Sequence, residues 1–217
     1  MTLTTVFRGA LAALVMAAGL AAQGAQAAEA APPIVPAGKD AKGYAIGDMA
    51  LGKADAPVTV IEYASMTCPH CAAFEAEALP KLKSQYIETG KLRLIFREFP
   101  LDRLALEAAK VARCAGPDRY FAFVEVLFAQ QGNWARAKDP MADLQRLAKL
   151  GGIGEEAFKA CVADQALADQ IVESRYTAEK AFTISGTPGF VLDGKSIDVT
   201  KIMDAIDEAV KKADGKS

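Results

Sequence analysis

The sequence predicts a mixed α/β fold in two pieces, held apart by a block that is helical throughout. Three observations carry this reading. Apolar, β-branched runs at residues 57–64 and 91–99 flank a segment of helix length with apolar residues at four-residue spacing. From residue 102 to about 181 nearly every segment has a helical period. Strand signal then returns at 189–197, ahead of a last amphipathic stretch.

The first residues read as an export signal. Arg8 is the only early charge, residues 10–22 are apolar and mostly alanine, and Ala25-Gln26-Ala27 offers a small-x-small cleavage pattern. Thirteen such residues are too short and too weakly hydrophobic to span a bilayer, and no cysteine follows them for a lipid anchor. A signal peptide is therefore expected over 1–28. A flexible tether is expected over 29–43, because an Ala/Pro/Gly-rich stretch with Pro32, Pro33 and Pro36 is unsuited to a helix or a paired strand. Order should begin near Tyr44.

Residues 57–64 form the first strand. Phe74, Ala78, Leu82 and Tyr86 define a helix over 74–89, with a kink at Pro80 and a stop at Gly90. The second strand spans 91–99, and a crossover of this length implies parallel neighbours. Helices are expected at 104–115, 120–130, 140–150, 155–164 and 166–182, broken at Gly116-Pro117, Gly132-Asn133, Asp139-Pro140 and Gly151-Gly152. Strands at 189–192 and 195–197 meet at the hairpin turn Asp193-Gly194. In the last helix, 199–212, Ile202, Ala205, Ile206 and Val210 share a stripe. No internal repeat is evident.

A chain of 217 residues allows one large domain or a domain with an insertion. It has 25 Lys+Arg and 27 Asp+Glu, and loss of the leader removes only Arg8, leaving a net charge of about −3. Such a chain has no electrostatic footprint for nucleic acid.

Four cysteines in an exported chain allow two pairs. Cys68-Pro69-His70-Cys71 lies between a strand and a helix, which puts Cys68 at a helix N-terminus. There the free N–H groups and the helix dipole favour a thiolate. A stabilised thiolate is a good leaving group, and its disulfide is correspondingly oxidising. A loop this short gains little chain entropy from cross-linking, so an inert staple is a poor explanation of the spacing. Cys68 is the candidate nucleophile and Cys71, one turn into the helix, the resolving thiol. His70 is the only histidine. Between the thiols it can donate a hydrogen bond or positive charge to Cys68. No metal is expected, since one histidine and a lone C-x-x-C fall short of four ligands. Trp134, the sole tryptophan, reads as packing. Gly151-Gly152-Ile153-Gly154 follows a helix and lacks the Lys-Ser/Thr of a phosphate loop.

Cys-Pro-His-Cys after a strand, a long helical insertion, and Gly186-Thr187-Pro188 before a terminal hairpin and helix resemble the DsbA family of periplasmic thiol oxidases. The resemblance covers residues 44–213. It implies a thioredoxin-like fold with an inserted all-helical domain: first part 44–101, helical domain 102–182, second part 183–213. C-x-x-C thiols titrate as low as about 3.5–7, the lower figure being that of a DsbA itself. Glu62, six residues before Cys68, matches the buried acid of thioredoxin-like proteins, which exchanges the proton of the buried thiol. Glu75 matches another position where an acid recurs. Pro188 matches a cis proline, leaving Thr187 to hydrogen-bond an extended substrate strand. Threonine there differs from the valine of some family oxidases and occurs in isomerase-like relatives. Cys114 and Cys161, both in the helical block, read as a structural disulfide or as two buried free thiols; some family members carry such a second pair.

The resemblance implies a monomer with no cofactor, which takes reduced or unfolded secreted proteins as substrates and is reoxidised by a DsbB-like membrane partner. Two other activities are compatible with this pattern. A disulfide isomerase or reductase of this kind usually carries a dimerisation domain ahead of the thioredoxin fold. A redox-inactive peptide-binding chaperone would not need Cys68 and Cys71 intact.

Overall fold

The computed structural model describes Met1 and residues 33–215. The signal-peptide reading of 1–28, Met1 aside, and the start of the tether lie outside the described residues. The chain opens with a small antiparallel ribbon, β1 (Gly38–Lys39) with β2 (Ala45–Ile46), followed by β3 (Met49–Leu51) and β4 (Val58–Ala64). Three helical pieces come next: α1 (Pro69–Glu77), α2 (Leu79–Leu82) and a π-helical turn (Lys83–Ile87). After β5 (Leu92–Glu98) the helical block runs through α3 (Arg103–Cys114), α4 (Tyr120–Ala129), α5 (Gln131–Trp134), α6 (Pro140–Leu150), α7 (Glu155–Val162) and α8 (Gln165–Phe182). Strands β6 (Gly189–Leu192) and β7 (Lys195–Ile197), a 3₁₀ turn (Val199–Lys201) and α9 (Ile202–Asp214) complete the chain.

The five-stranded sheet has the order β3-β5-β4-β6-β7. Strand β4 is central, parallel to β5 and antiparallel to β6. Its alternation divides the core. Val58, Val60 and Ala64 face the side that packs under Phe74 of α1 and Ile206 of α9 and joins the helical block, whereas Ile61 and Tyr63 face Ala178 and Phe182 of α8. A strand covered on both faces is apolar nearly throughout. One buried charged residue of β4 breaks that rule: Glu62, on the α1 side.

The helix expected over 74–89 starts earlier, at Pro69, and is broken rather than merely kinked. Proline is suited to a first helical turn, where its missing N–H has no partner in any case. Pro80 further along lacks the N–H that would bond the carbonyl four residues back, and the break falls at Ala78.

The expectation that 29–43 holds no paired strand is corrected for its described part. Gly38 and Lys39 pair with Ile46 and Ala45. The prolines are accommodated because side chains supply the missing partners: Arg97 Nη2 donates to Pro33 O at 3.2 Å, and Val35 N–H donates to Asp48 Oδ2 at 2.9 Å. Asp48 in turn accepts from Arg97 Nε at 2.7 Å. Gly47 permits this docking. Its φ is +73°, and a Cβ there would lie 2.2 Å from Pro36 O.

Arg113 of α3 reaches back from the helical block to the sheet. It donates to both carboxylate oxygens of Glu98 on β5 at 2.6 Å, and Tyr120 O–H donates to the same carboxylate at 2.7 Å. Cys114 and Cys161 form a disulfide that ties α3 to α7, with Cα atoms 6.2 Å apart.

Candidate active site

Strand β4 ends at Ala64, and a short turn delivers Cys68 to the N-cap of α1. Cys68 N–H donates to Ser65 O at 3.0 Å. Its φ and ψ of −80° and 117° are extended, and no side chain caps the helix. The first-turn N–H groups are thus left for the Cys68 sulfur. Both cysteines of the motif are free thiols, Cys68 only 5% exposed and Cys71 fully buried.

The Cys68 thiol is lowered to about 5. The largest cause is a hydrogen bond from the Cys71 thiol; Thr187 and the backbone N–H groups of Cys71 and His70 add to it, against the opposing pull of burial. Cys71 moves the other way. Its bond to Cys68, burial and the negative charge of Glu62 all raise it. One sulfur is therefore built to leave as an anion and the other to hold its proton.

Glu62 lies beneath this pair. It is fully buried, between Phe96 of β5 and Phe190 of β6 in register, and neither carboxylate oxygen has a hydrogen-bond partner among the described residues. Burial and then the charge of Glu75 push its pKa well above the ordinary carboxylate range. Glu75 lines a groove of about 380 Å³ between α1 and α4, with Lys83 and Glu125. Burial pushes Glu75 up to about 7, with Lys83 pulling down and Glu125 pushing up.

The Thr187-Pro188 bond is cis. Cys68 Sγ donates to Thr187 O at 3.2 Å, across 119 residues of sequence. The Thr187 hydroxyl is buried without a hydrogen-bond partner among the described residues, yet lies near enough to favour the anionic form of both thiols. His70 is exposed and shares a groove of about 360 Å³ with Phe74, Glu77, Thr187, Pro188 and Val199. The structure shows no hydrogen bond from its imidazole to Cys68; His70 acts on the sulfur through its backbone N–H.

The sequence therefore locates Cys68, Cys71, Glu62, Thr187 and Pro188 in one site, joined by Glu75. It does not reveal three supporting contacts. Asp102 caps α3 through Ala105 N–H and accepts from Thr67 O–H at 2.7 Å, beside Cys68. Ser65 Oγ accepts from Leu101 N–H at 3.3 Å. Gln131 Nε2 donates to Met66 O and Cys68 O, both at 3.0 Å. An Asp ahead of a helix is a readable cap signal; a glutamine at a helix junction carries none.

The thioredoxin family profile matches residues 45–212. The crystal structure of alpha-DsbA1 from Wolbachia pipientis is 36% identical, with a TM-score of 0.68, over 78% of this chain and 94% of that one. The chain belongs to the DsbA-like thioredoxin family. A Rickettsia bellii protein whose name assigns it to the protein-disulfide oxidoreductases is 32% identical over 78% of this chain and 67% of its own length. Disulfide bond formation protein D of Bacillus subtilis is 30% identical over 76% and 77%. This DsbA-like chain spans only 61–63% of four other Rickettsia relatives. Among the described residues, no helix is long and apolar enough to cross a membrane.

Proposed function

We propose that the protein is a periplasmic dithiol oxidase that introduces disulfides into reduced or unfolded secreted proteins. The observation that carries this reading is the opposed setting of the two thiols, Cys68 lowered to about 5 and Cys71 raised. A stable Cys68 thiolate favours the reduced pair, and electrons flow into the disulfide.

A substrate thiolate attacks the Cys68 sulfur of the oxidised pair. The Cys68–Cys71 bond breaks, and Cys71 leaves with the electron pair and takes a proton, for which Glu62 is the buried source. A second substrate thiolate then attacks the substrate sulfur of the mixed disulfide. Cys68 leaves as thiolate, and the substrate departs with its new disulfide. Two electrons have moved from the substrate dithiol to the Cys68/Cys71 pair. A DsbB-like membrane partner restores the disulfide. The Thr187-Pro188 segment faces Cys68 across the groove and is the proposed docking edge for an extended substrate. The leader over 1–28 supports export, and the enzyme acts as a monomer.

The test is the redox equilibrium of the Cys68/Cys71 pair in a glutathione series, run beside refolding of reduced and of scrambled ribonuclease. The reading expects a pair more oxidising than glutathione that refolds reduced ribonuclease and leaves scrambled ribonuclease scrambled. A pair as reducing as thioredoxin, near −270 mV on the scale of thiol–disulfide couples, would overturn it. Rapid reshuffling of scrambled ribonuclease would make the enzyme an isomerase.

A further inference from the structure

Gln131 sits on α5, in the helical block, yet its carboxamide reaches the turn that presents the nucleophile. Nε2 donates to Met66 O and to Cys68 O at 3.0 Å each, and the residue is buried at 8% exposure. Cys68 O already takes the first helical bond of α1, from Ala72 N–H at 3.2 Å. These two carbonyl oxygens flank the segment Thr67-Cys68, which presents the sulfur that has to carry negative charge.

We propose that Gln131 is a positioning residue for catalysis, which fixes the Met66–Cys68 turn against the helical block and masks two carbonyl oxygens that would otherwise oppose the Cys68 thiolate. This rests on thiol exchange at Cys68, and it gives the inserted domain a direct chemical part in that exchange. The α5 turn is also anchored at its far end, by a contact separate from the two Gln131 bonds. Trp134, its last residue, is fully buried and donates Nε1–H to Leu127 O at 2.8 Å, which locks α5 onto α4. Removal of the carboxamide leaves Met66 O buried without its donor, and buried polar groups that lose their partner reorganise or attract water. Either response loosens the N–H array aimed at Cys68.

The titratable groups around Cys68 are few. Cys71, His70 and Glu75 stand on α1, Glu62 on β4 beneath Cys71, and Asp102 ahead of α3, on the Thr67 hydroxyl. Residues 131–134 of α5 and the approach to β6, residues 183–188, contain no titratable side chain. Gln131 thus acts on Cys68 through neutral hydrogen bonds, without adding a charge.

The discriminating variants are Gln131→Met, which keeps the shape of the side chain and removes its donors, and Trp134→Phe, which loosens α5 and leaves both Gln131 bonds in place. The readout is the pH dependence of Cys68 alkylation in the reduced full chain, with thermal stability measured alongside. Gln131→Met is expected to raise the alkylation pKa by about one unit, and to shift the glutathione equilibrium toward the oxidised pair. Trp134→Phe is expected to lower the melting temperature and leave the alkylation pKa at the parental value. A Gln131→Met profile equal to the parent, or a Trp134→Phe profile shifted as far as that of Gln131→Met, overturns the assignment. The parental profile is a separate test of the thiolate itself, so failure of the variant and failure of the underlying chemistry are distinguishable.

Discussion

Glu62 shows at the level of one side chain what the site costs the fold. A carboxyl group set between Phe96 and Phe190, without a hydrogen-bond partner among the described residues, is biased toward its protonated form because the anion would be desolvated. The folded pKa is raised above the ordinary 4.5. The penalty is therefore absent below pH 4.5, where both states are protonated, and grows as pH rises toward the folded pKa. Replacing Glu62 by Leu should stabilise the protein at pH 7, because the desolvation penalty of the buried carboxyl group is removed. Urea unfolding at pH 7 and pH 4 measures this, and the gain should shrink at the lower pH. The same variant should exchange disulfides more slowly, because Cys71 loses the proton source proposed for it. A gain of equal size at both pH values would mean that Glu62 carries no such penalty.

Among the elements, the helical block is fastened to the sheet in two ways. The buried Arg113–Glu98–Tyr120 cluster fixes α3 and α4 to β5, and the Cys114–Cys161 disulfide holds α7 to α3. The disulfide closes a loop of 47 residues. By the loop-entropy relation such a link stabilises by about 4 kcal/mol. Replacing both cysteines by alanine should lower the unfolding free energy by up to that amount and raise the denaturant slope, because the unlinked unfolded chain exposes more surface. Peptide mapping without reductant checks the pairing first. An unchanged midpoint would show that the buried packing of α3 on α7 suffices without it.

Across the whole molecule, the division into an α/β unit, a helical block and a completing hairpin and helix is written in periodicity. Strand β4 and helices α3, α4, α6 and α8 lie within a few residues of where the pattern puts them. The paired cysteines and the Thr-Pro were equally legible because their chemistry depends on residue type at fixed spacing. What the pattern hides depends on distant partners. Gly38–Lys39 reads as tether until Arg97 and Asp48 are seen to hold that segment. Gln131, between a helix and the break at Gly132-Asn133, carries no signal until α5 folds onto the Met66–Cys68 turn. The imidazole of His70 was expected on the sulfur, but it is the backbone N–H of that residue that reaches it.

The lowered Cys68 thiol also links acidity to the stability of the entire reduced protein. Its folded pKa lies below the ordinary 9.0. The stabilisation is fully present above the unfolded value and is lost as pH falls through about 5. At pH 7 it contributes about 2–3 kcal/mol. Reduced parental protein should therefore lose more stability between pH 7 and pH 4 than reduced Cys68→Ser, as read by urea midpoints.

The most direct measurement of the central claim is the rate of Cys68 alkylation as a function of pH in reduced Cys71→Ala and in the parent. The account predicts an inflection near pH 5 in the parent, and a higher one in Cys71→Ala, where the largest donor to the sulfur is gone. A parental inflection at about 8.5, the value of a free cysteine, would contradict it.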